Sequence, residues 1–392
     1  MHVTRITLDE FRRYQQLKLM VPQAGLRIVG KNASGKSSLL EALLLLATTK
    51  SPRAGLEREL IRWESGKQYG VEPYARVFTH VVTSADEHDL EIRLEAATGG
   101  TGSKKTCLVD DRSVRAATMV GILKVVEFSP EDVQLVSGPP ADRRRQVDIL
   151  ISQIDRHYMQ ASSRYAKVLA QRNGLLRSFV RDGIAPNAPQ VAAQLGFWDD
   201  ELLKYGSILM AHRVQVAAAL AERMQAWSAE LLVDHVVDVQ YVPGVKRIEQ
   251  IELTDNDHQA LVPRIRDRFA RELESARVED VRRGTTTIGP QRDDFAYRID
   301  LRSLAAFGSR GQQRLGVIAL KLSEADIIEE LTGEKPVVLL DDALSELDES
   351  HAALLLKSIA EPNRQLLITS AMEDALDRPE LDHLEMIRLD DL

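Results

Sequence analysis

Several features of secreted and membrane proteins are missing from this sequence. Cys107 is its single cysteine, so no disulfide can form within the chain, which fits a reducing compartment. The most apolar run, residues 39–47, contains Glu41 and is far shorter than the ~20 residues that span a bilayer. The N-terminus, Met-His-Val-Thr-Arg-Ile, has no apolar signal-peptide core. We expect a cytoplasmic protein that does not contact membranes.

An excess of positive charge is missing too. Lysine and arginine number 51 against 59 aspartates and glutamates, which gives a net charge of −8. The protein as a whole therefore does not attract nucleic acid, and any DNA contact must come from a local basic patch. The histidines also lack the spacing of a metal site.

The chain of 392 residues exceeds the ~100–200 residues of a typical domain. Alternating apolar residues predict strands in the first third, a heptad-like spacing predicts long helices in the middle, and strand patterns return after Gly284. We predict an α/β protein whose head has a mixed sheet and an antiparallel strand lobe and carries an inserted, all-helical arm. The expected domains are residues 1–130, 131–283 and 284–392.

The middle segment is expected to form this arm. One helix is predicted from Arg143 to Arg181, and at ~1.5 Å per residue it would be ~55–60 Å long. A second helix follows Pro189 and a third covers Ala260–Val281. Thr285–Ile288 is the first segment after them with strand character.

The clearest motif is a phosphate-binding loop of the pattern G-x-x-x-x-G-K-[ST], placed between a predicted strand and a predicted helix. Backbone N–H groups of such a loop surround phosphates at the positive end of the helix dipole. Lys36 would bridge the outer phosphates and Ser37 would bind Mg²⁺, so the predicted cofactors are ATP and Mg²⁺. The predicted nucleotide-binding residues of the loop are Gly30, Lys31, Asn32, Ala33, Ser34, Gly35, Lys36, Ser37 and Ser38.

An acidic strand end would complete this site. Val337–Leu340 is an apolar run typical of a buried parallel strand, and Asp341 and Asp342 follow it. Asp341 is the predicted Mg²⁺ ligand together with Ser37. A solvated acidic turn after a core strand is the alternative interpretation.

Two further motifs each allow two interpretations. Ser309, Gly311 and Gln312 open an amphipathic helix, where Ser309 is either a simple N-cap or part of an anion site. Ser345–Asp348 is either a helix capping box or a loop that approaches a nucleotide.

The order of these parts resembles the ABC, SMC and Rad50 ATPase superfamily, which implies an ABC-type ATPase head. In that superfamily the signature motif, here Ser309, Gly311 and Gln312, and the D-loop, here ending at Asp348, contact the nucleotide of a second protomer. Asp342 stands where such enzymes usually carry the glutamate that positions the attacking water. Asp342 is therefore the catalytic candidate beside Lys36, and its shorter side chain predicts slow hydrolysis.

Three motifs resemble the RecF family, whose arm is similarly short: residues 128–148, Gln171–Arg177 and Gly289–Phe295. The resemblance implies a homodimer that forms on ATP and clamps double-stranded DNA and its junctions with single strands near gaps. It also implies weak, DNA-dependent ATP hydrolysis, association with the nucleoid, and cooperation with RecR and RecO in loading RecA.

Two residues typical of transporter ATPases are absent. No glutamine lies around residues 128–131, where the Q-loop is expected, with Gln134 only a weak candidate, and no histidine lies near Ser370, where the switch residue is expected. These gaps count against a transporter ATPase. One alternative stays open: the protein could be a structural tether in which ATP only holds a dimer together.

Arginines of the arm root are the predicted DNA ligands, because sequence-independent binding needs phosphate contacts and no base-reading motif is visible. Solvation of a long helix is the alternative for each of them. Arg12 is predicted to reach the nucleotide, although a surface charge at a strand edge is equally compatible. Arg292 is either part of an ion pair or a ligand for DNA or phosphate. The predicted DNA-binding residues are Arg143, Arg144, Arg145, Arg156, Arg164 and Arg172.

Overall fold

The computed structural model describes residues 1–67, 70–97, 102–246, 248, 258–361 and 363–391. These residues form two compact units. The head unit is Met1–Val133 with Val317–Leu392, and the arm unit is Gln134–Gly316. Within the predicted arm, residues 247 and 249–257 lie outside the described part.

The head unit contains two separate sheets. One has six strands in the order β2-β1-β4-β5-β6-β7, and the other has five strands in the order β14-β3-β13-β12-β8. The first is antiparallel and the second parallel. The strands are β1 (His2–Phe11), β2 (Tyr14–Met20), β3 (Gly25–Val29), β4 (Tyr74–Val82), β5 (Glu87–Ala96), β6 (Ser103–Val109), β7 (Arg112–Val114), β8 (Val125–Phe128), β12 (Val337–Asp341), β13 (Leu366–Ser370) and β14 (Glu385–Arg388).

The predicted antiparallel strand lobe corresponds to the first sheet, whereas the sheet of the phosphate-binding core, predicted to be mixed, is parallel throughout in the described residues. Short connections join neighbouring antiparallel strands, whereas each parallel strand is reached through a longer crossover, so the two kinds of pairing separate. Strands β12 and β13 are buried along their whole length, as expected when both faces of a parallel sheet are covered. Helix α1 (Lys36–Thr48) packs against strands of both sheets, and its leucines fill the core between them.

The register of the parallel sheet gathers three strand ends at one edge. Val29 at the end of β3 pairs with Ser370 at the end of β13, and Asp341 at the end of β12 pairs with Thr369. Carboxyl ends of parallel strands form the usual ligand crevice of an open α/β sheet. The phosphate-binding loop follows β3 directly, so it meets Asp341 there.

The arm unit is mainly helical but also contains a three-stranded sheet of order β11-β10-β9. Its elements, in chain order, are α3 (Gln134–Ser137), α4 (Pro140–Ile154), α5 (Arg156–Arg181), α6 (Pro189–Leu231), β9 (Val237–Val242), α7 (His258–Arg283), β10 (Asp294–Ile299), β11 (Arg302–Ser303), α8 (Leu304–Phe307) and α9 (Arg310–Thr332), which continues into the head unit. The short helix α2 (Ala116–Met119) and helix α10 (Glu349–Ile359) belong to the head unit.

The prediction of an entirely helical arm is thus wrong in one element, because strand β9, with its alternating residues, pairs with β10. This pairing also explains why the compact arm unit extends to Gly316 rather than ending near residue 283. The segment Thr285–Ile288 is not a strand. Its Thr286 and Thr287 N–H groups donate instead to the side chains of Asn173 and Asp280.

The single long helix predicted from Arg143 to Arg181 is also wrong. Asp155 adopts an extended conformation with φ −130° and ψ 113° and ends α4. Its carboxylate then caps α5 by accepting a hydrogen bond from the His157 N–H at 2.7 Å. Helix α5 has 26 residues, which corresponds to ~39 Å at ~1.5 Å per residue. In the described part of the chain, no helix has the length and apolarity that crossing a membrane requires.

Candidate functional site

The phosphate-binding loop is held tightly against the β1–β2 turn. Gly35 has φ 109°, a left-handed conformation that favours glycine. A Cβ atom there would lie 2.7 Å from Arg13 Cδ and 2.7 Å from Tyr14 Oη. The Tyr14 hydroxyl also donates to the Gly35 carbonyl at 3.1 Å. A side chain at position 35 would therefore strain this backbone conformation and displace the Arg13 or Tyr14 side chain.

Lys36 lies over this loop. Its buried ammonium donates to the carbonyls of Gly30 at 2.6 Å and Lys31 at 3.0 Å. The Ser34 hydroxyl oxygen is buried and has no hydrogen-bond partner among the described residues. The first N–H groups of any helix lack partners within that helix, so the start of α1 and Ser34 together offer unused donors. This set fits a chain of phosphates.

The structure brings the two predicted metal ligands together. Asp341 Oδ1 accepts hydrogen bonds from the Ser37 hydroxyl at 3.0 Å and from the Thr369 hydroxyl at 2.9 Å. Carboxylate and hydroxyl oxygens suit a hard cation such as Mg²⁺. Thr369, which the sequence did not single out, also accepts from the Asp342 N–H at 3.1 Å. It therefore orients the strand end that carries both aspartates.

Arg53 is a second residue that the sequence did not reveal. Its guanidinium donates to Asp341 Oδ2 at 2.7 Å, to Glu127 Oε1 at 3.1 Å and to the Ser37 carbonyl at 3.0 Å. Burial raises the pKa of Glu127 to about 7, against the opposing charge of Arg53. Arg53 lies in a loop without periodicity. Glu127, however, interrupts the apolar strand β8, and that signal was available.

Asp342 and Arg12 both line a cavity that also contains the phosphate-binding loop, but they differ in how they are held. Asp342 has φ 52° and precedes a turn of 3-10 helix, and it is only half-buried. The Arg12 guanidinium binds the buried Glu41 through two hydrogen bonds of 2.8 and 2.7 Å. Its contact with nucleotide stays a prediction. The neighbouring Arg13 is exposed to the cavity.

The cavity has a volume of about 1210 Å³ and belongs entirely to the head unit. Part of its lining is the phosphate-binding loop with Asp341 and Asp342. The segment between α1 and β4 forms another part and contributes both apolar and charged side chains. Those residues are Leu56, Arg58, Glu59, Ile61, Arg62, Trp63, Lys67 and Pro73.

The signature motif forms a capping box in its own chain. The Ser309 N–H donates to Gln312 Oε1 at 2.8 Å, and the Gln312 N–H donates to Ser309 Oγ at 3.2 Å. Ser309, Arg310 and Gly311 are exposed. The N-cap interpretation is thus confirmed, and the contact with a second protomer stays a prediction.

Asp348 is also an N-cap, at the start of α10. Its carboxylate accepts from the His351 N–H at 3.0 Å and from the Ser350 hydroxyl at 2.7 Å. These hydrogen bonds, with that of the His351 ring, hold the pKa of Asp348 well below its usual range. Ser345 is not the capping residue, because its hydroxyl donates to the Asp342 carbonyl at 2.7 Å. A role of Asp348 at a partner's nucleotide stays a prediction.

Arg172 is not a DNA ligand in this structure, which corrects the prediction. Its side chain has 0% exposure. The guanidinium donates to Asp199 at 2.8 Å, to Asp280 at 2.7 Å and to the Thr286 hydroxyl at 2.8 Å. Asn173 binds the same threonine. The motif Gln171–Arg177 therefore fixes α5 to α6, to α7 and to the loop after α7.

Two further arginines of the predicted patch serve mainly within the arm unit. Arg143 forms a bidentate pair with Asp294 at 2.7 and 3.0 Å. Arg144 donates to the Asp293 carbonyl at 2.7 Å. The Asp293 carboxylate is buried and binds Arg213 at 2.7 Å. The predicted patch residues whose side chains are exposed are Arg145, Arg156 and Arg164.

These contacts bear on the two interpretations of Arg292, which were an ion pair or a ligand for DNA or phosphate. Both aspartates belong to ion pairs of the arm unit, whereas Arg292 is exposed and pairs with neither of them among the described contacts. The motif Gly289–Phe295 is therefore structural through its aspartates and leaves Arg292 available for a ligand.

A family model described as "RecF/RecN/SMC N terminal domain" matches residues 2–387. The DNA replication and repair protein RecF of Thermomicrobium roseum is 42% identical over 398 residues, which covers 100% of this chain and 98% of that protein. The protein of the same name from Herpetosiphon aurantiacus is 39% identical over 377 residues, with coverage of 94% and 93%.

Solved structures show the same similarity. A structure of the recombination mediator protein RecF-ATPrS in the RecFOR pathway has a TM-score of 0.81 and 29% identity, and the match covers 95% of this chain and 93% of that chain. A structure of RecF-ATP in the same pathway has a TM-score of 0.78 and 28% identity, with coverage of 94% and 93%. The fold class predicted from the sequence, an ABC-type head with an inserted arm, is confirmed.

Proposed function

Because this chain belongs to the RecF family of DNA replication and repair proteins, we propose that it is an ATP-controlled DNA-binding protein of recombinational repair. The observation that carries the proposal is the meeting of Lys36, Ser37 and Asp341 at the carboxyl edge of the parallel sheet. Similar solved structures are of RecF with ATP. ATP and Mg²⁺ are the cofactors we propose.

Each residue of the site has a distinct task in this proposal. The N–H groups at the start of α1 and the Lys36 ammonium would bind the phosphates, and Ser37 and Asp341 would hold Mg²⁺. When bound, the metal ion would neutralise charge on the phosphates. Asp342 would orient the attacking water. We propose slow hydrolysis that acts as a switch, because the Asp342 carboxylate lies on a shorter side chain than glutamate would provide.

We further propose that ATP closes a homodimer in which the α9 N-terminus of one protomer meets the nucleotide of its partner. A ligand favours a closed state only through additional contacts in that state. The support is the exposure of Ser309 and Gly311 at a helix start, where anions are favoured. The dimer would hold duplex DNA near single-strand gaps and act with RecR and RecO in loading RecA on the chromosome.

Replacing Ser309 by arginine should prevent this dimer while leaving ATP binding by the monomer nearly unchanged. The phosphate-binding loop lies in the same chain as its own nucleotide, whereas a bulky cation at position 309 would fill the interface. The lost N-cap costs only about 1 kcal/mol, so the fold should persist. Light scattering with ATP and Mg²⁺ measures the mass, and calorimetry measures nucleotide affinity.

Ser309→Thr is the matched control, since threonine also caps a helix and adds only a methyl group. It should dimerise like the original protein. An arginine variant that still doubles its mass with ATP would leave Ser309 as an N-cap alone.

Changing Arg145, Arg156 and Arg164 together to glutamine should weaken DNA binding equally for all sequences. Each phosphate contact that is lost lowers the slope of log affinity against log salt concentration by ~0.9 on duplex DNA. Titration of a labelled duplex with the ATP-bound protein at several salt concentrations measures this slope.

A matched control changes three exposed arginines of α7: Arg266, Arg271 and Arg282. This control removes the same charge from the same unit. If the salt dependence of DNA affinity falls in the α7 variant but not in the variant of Arg145, Arg156 and Arg164, the DNA contact lies on α7. If the salt dependence is unchanged in both variants, these two groups of arm arginines do not bind DNA.

A further inference from the structure

Trp63 has the most exposed large apolar side chain in the described part of the chain, at 93%. It lines the cavity that also contains the phosphate-binding loop. Leaving so large an aromatic surface in water forgoes the free energy of burial. Tryptophan and tyrosine in such positions commonly supply flat contact area for a ligand.

The turn that carries Trp63 is firmly held on both sides. The Arg62 N–H donates to the Glu10 carbonyl at 2.8 Å, and its guanidinium donates to the Glu10 carboxylate at 3.0 Å. On the other side, the Ser65 hydroxyl donates to the Tyr74 carbonyl at 2.7 Å and accepts from the Tyr74 N–H at 2.9 Å. The indole is thus presented by an anchored backbone.

The same strand that anchors Trp63 leads to the phosphate-binding loop. Phe11 at the end of β1 forms a bridge with Ile61, two residues before Trp63. Directly after Phe11, the β1–β2 turn places Arg13 and Tyr14 against Gly35. The β1 end and its turn therefore contact both the segment that carries Trp63 and the phosphate-binding loop.

The two parts of the cavity lining differ in chemistry. The phosphate-binding loop offers N–H groups and the Lys36 ammonium, which suit phosphates. The segment between α1 and β4 offers the Trp63 indole together with other apolar and with charged side chains. A nucleoside triphosphate likewise joins anionic phosphates to an aromatic base.

We propose that Trp63 stacks on the base of the nucleotide whose phosphates bind the loop, and so recognises a nucleotide rather than a bare polyphosphate. The inference rests on the proposed function of the loop. Stacking tolerates any base because every base has a π-face. The site should therefore prefer the larger purines without reading base edges through this residue.

The test compares ATP with inorganic tripolyphosphate on the full-length protein with Mg²⁺, by calorimetry. Trp63→Ala should lower ATP affinity by about 5- to 150-fold, the range that corresponds to loss of one base stack, and leave tripolyphosphate affinity unchanged. Trp63→Phe should recover most of the loss because it restores an aromatic face. Because Trp63 is exposed, neither change should disturb the fold.

A spectroscopic measurement gives a second readout. The other two tryptophans of the chain, Trp198 and Trp227, lie in the arm unit. In a protein with both changed to phenylalanine, ATP should quench the fluorescence of Trp63 and tripolyphosphate should not.

Lys36→Met separates the two possible failures. If Lys36→Met lowers affinity for both ligands while Trp63→Ala changes the ratio between them by less than threefold, the loop function holds and the stacking inference is overturned. If Lys36→Met changes neither affinity, the proposed function itself fails. A Trp63→Ala protein that loses DNA affinity without nucleotide, with that ratio unchanged, would assign Trp63 to nucleic acid and overturn the inference.

Discussion

Replacing Arg172 by methionine is expected to lower the free energy of unfolding of the arm unit by about 3–5 kcal/mol, the usual effect of removing one partner of a buried ion pair. The change leaves the Asp280 carboxylate, which has 0% exposure, without its cation. It also removes the ties to Asp199 and Thr286. Urea denaturation followed by circular dichroism measures the change.

Arg164→Met is the matched control on the same helix, because Arg164 is exposed. Its effect on stability should stay within about 0.5 kcal/mol, as for most surface substitutions. Adding Asp280→Asn to Arg172→Met should restore part of the stability, since the uncompensated charge is then removed. An Arg172→Met protein of unchanged stability but reduced DNA affinity would contradict the burial of this residue and revive its role as a DNA ligand.

Replacing Lys36 by methionine is expected to weaken ATP binding by about 10- to 150-fold, which corresponds to the ~1.5–3 kcal/mol of a hydrogen bond to a charged group. The ammonium is the only cation of the loop that bonds to loop carbonyls among the contacts described, so its position is preset. Calorimetric titration with ATP and Mg²⁺ measures the affinity.

Lys31→Met removes the same charge from the same loop, but the Lys31 side chain is exposed. Its effect on ATP affinity should be several times smaller. Equal losses from both variants would mean that overall loop charge, and not the placement of Lys36, attracts the phosphates.

The sequence could predict that the phosphate-binding loop and the Asp341 strand end meet, because both parts are local. The phosphate-binding loop and the Asp341 strand end are each short runs whose role follows from the neighbouring residues. Their meeting follows from the parallel pairing of β3, β13 and β12. Arg53 escaped notice because only the fold brings it to Asp341, 288 positions away.

The basic arm was harder to interpret for the same reason. Nothing beside Arg172 in the sequence shows that Asp280 and Thr286 bind it, because they lie 108 and 114 positions away. The break between α4 and α5 at Asp155 was missed because the heptad-like spacing of apolar residues continues in register through it. Whether an arginine faces water or a carboxylate is decided by tertiary packing, which periodicity does not report.

The capping box at Ser309 and Gln312 makes the start of α9 a site that is already occupied by its own chain. The two side chains are tethered within a few ångströms of the N–H groups they bond, so their effective concentration there is high. An incoming anion would have to displace these internal acceptors to reach the N–H groups of Ser309 and Gln312. If the proposed dimer forms through this helix end, its strength would depend on the difference between the two sets of hydrogen bonds.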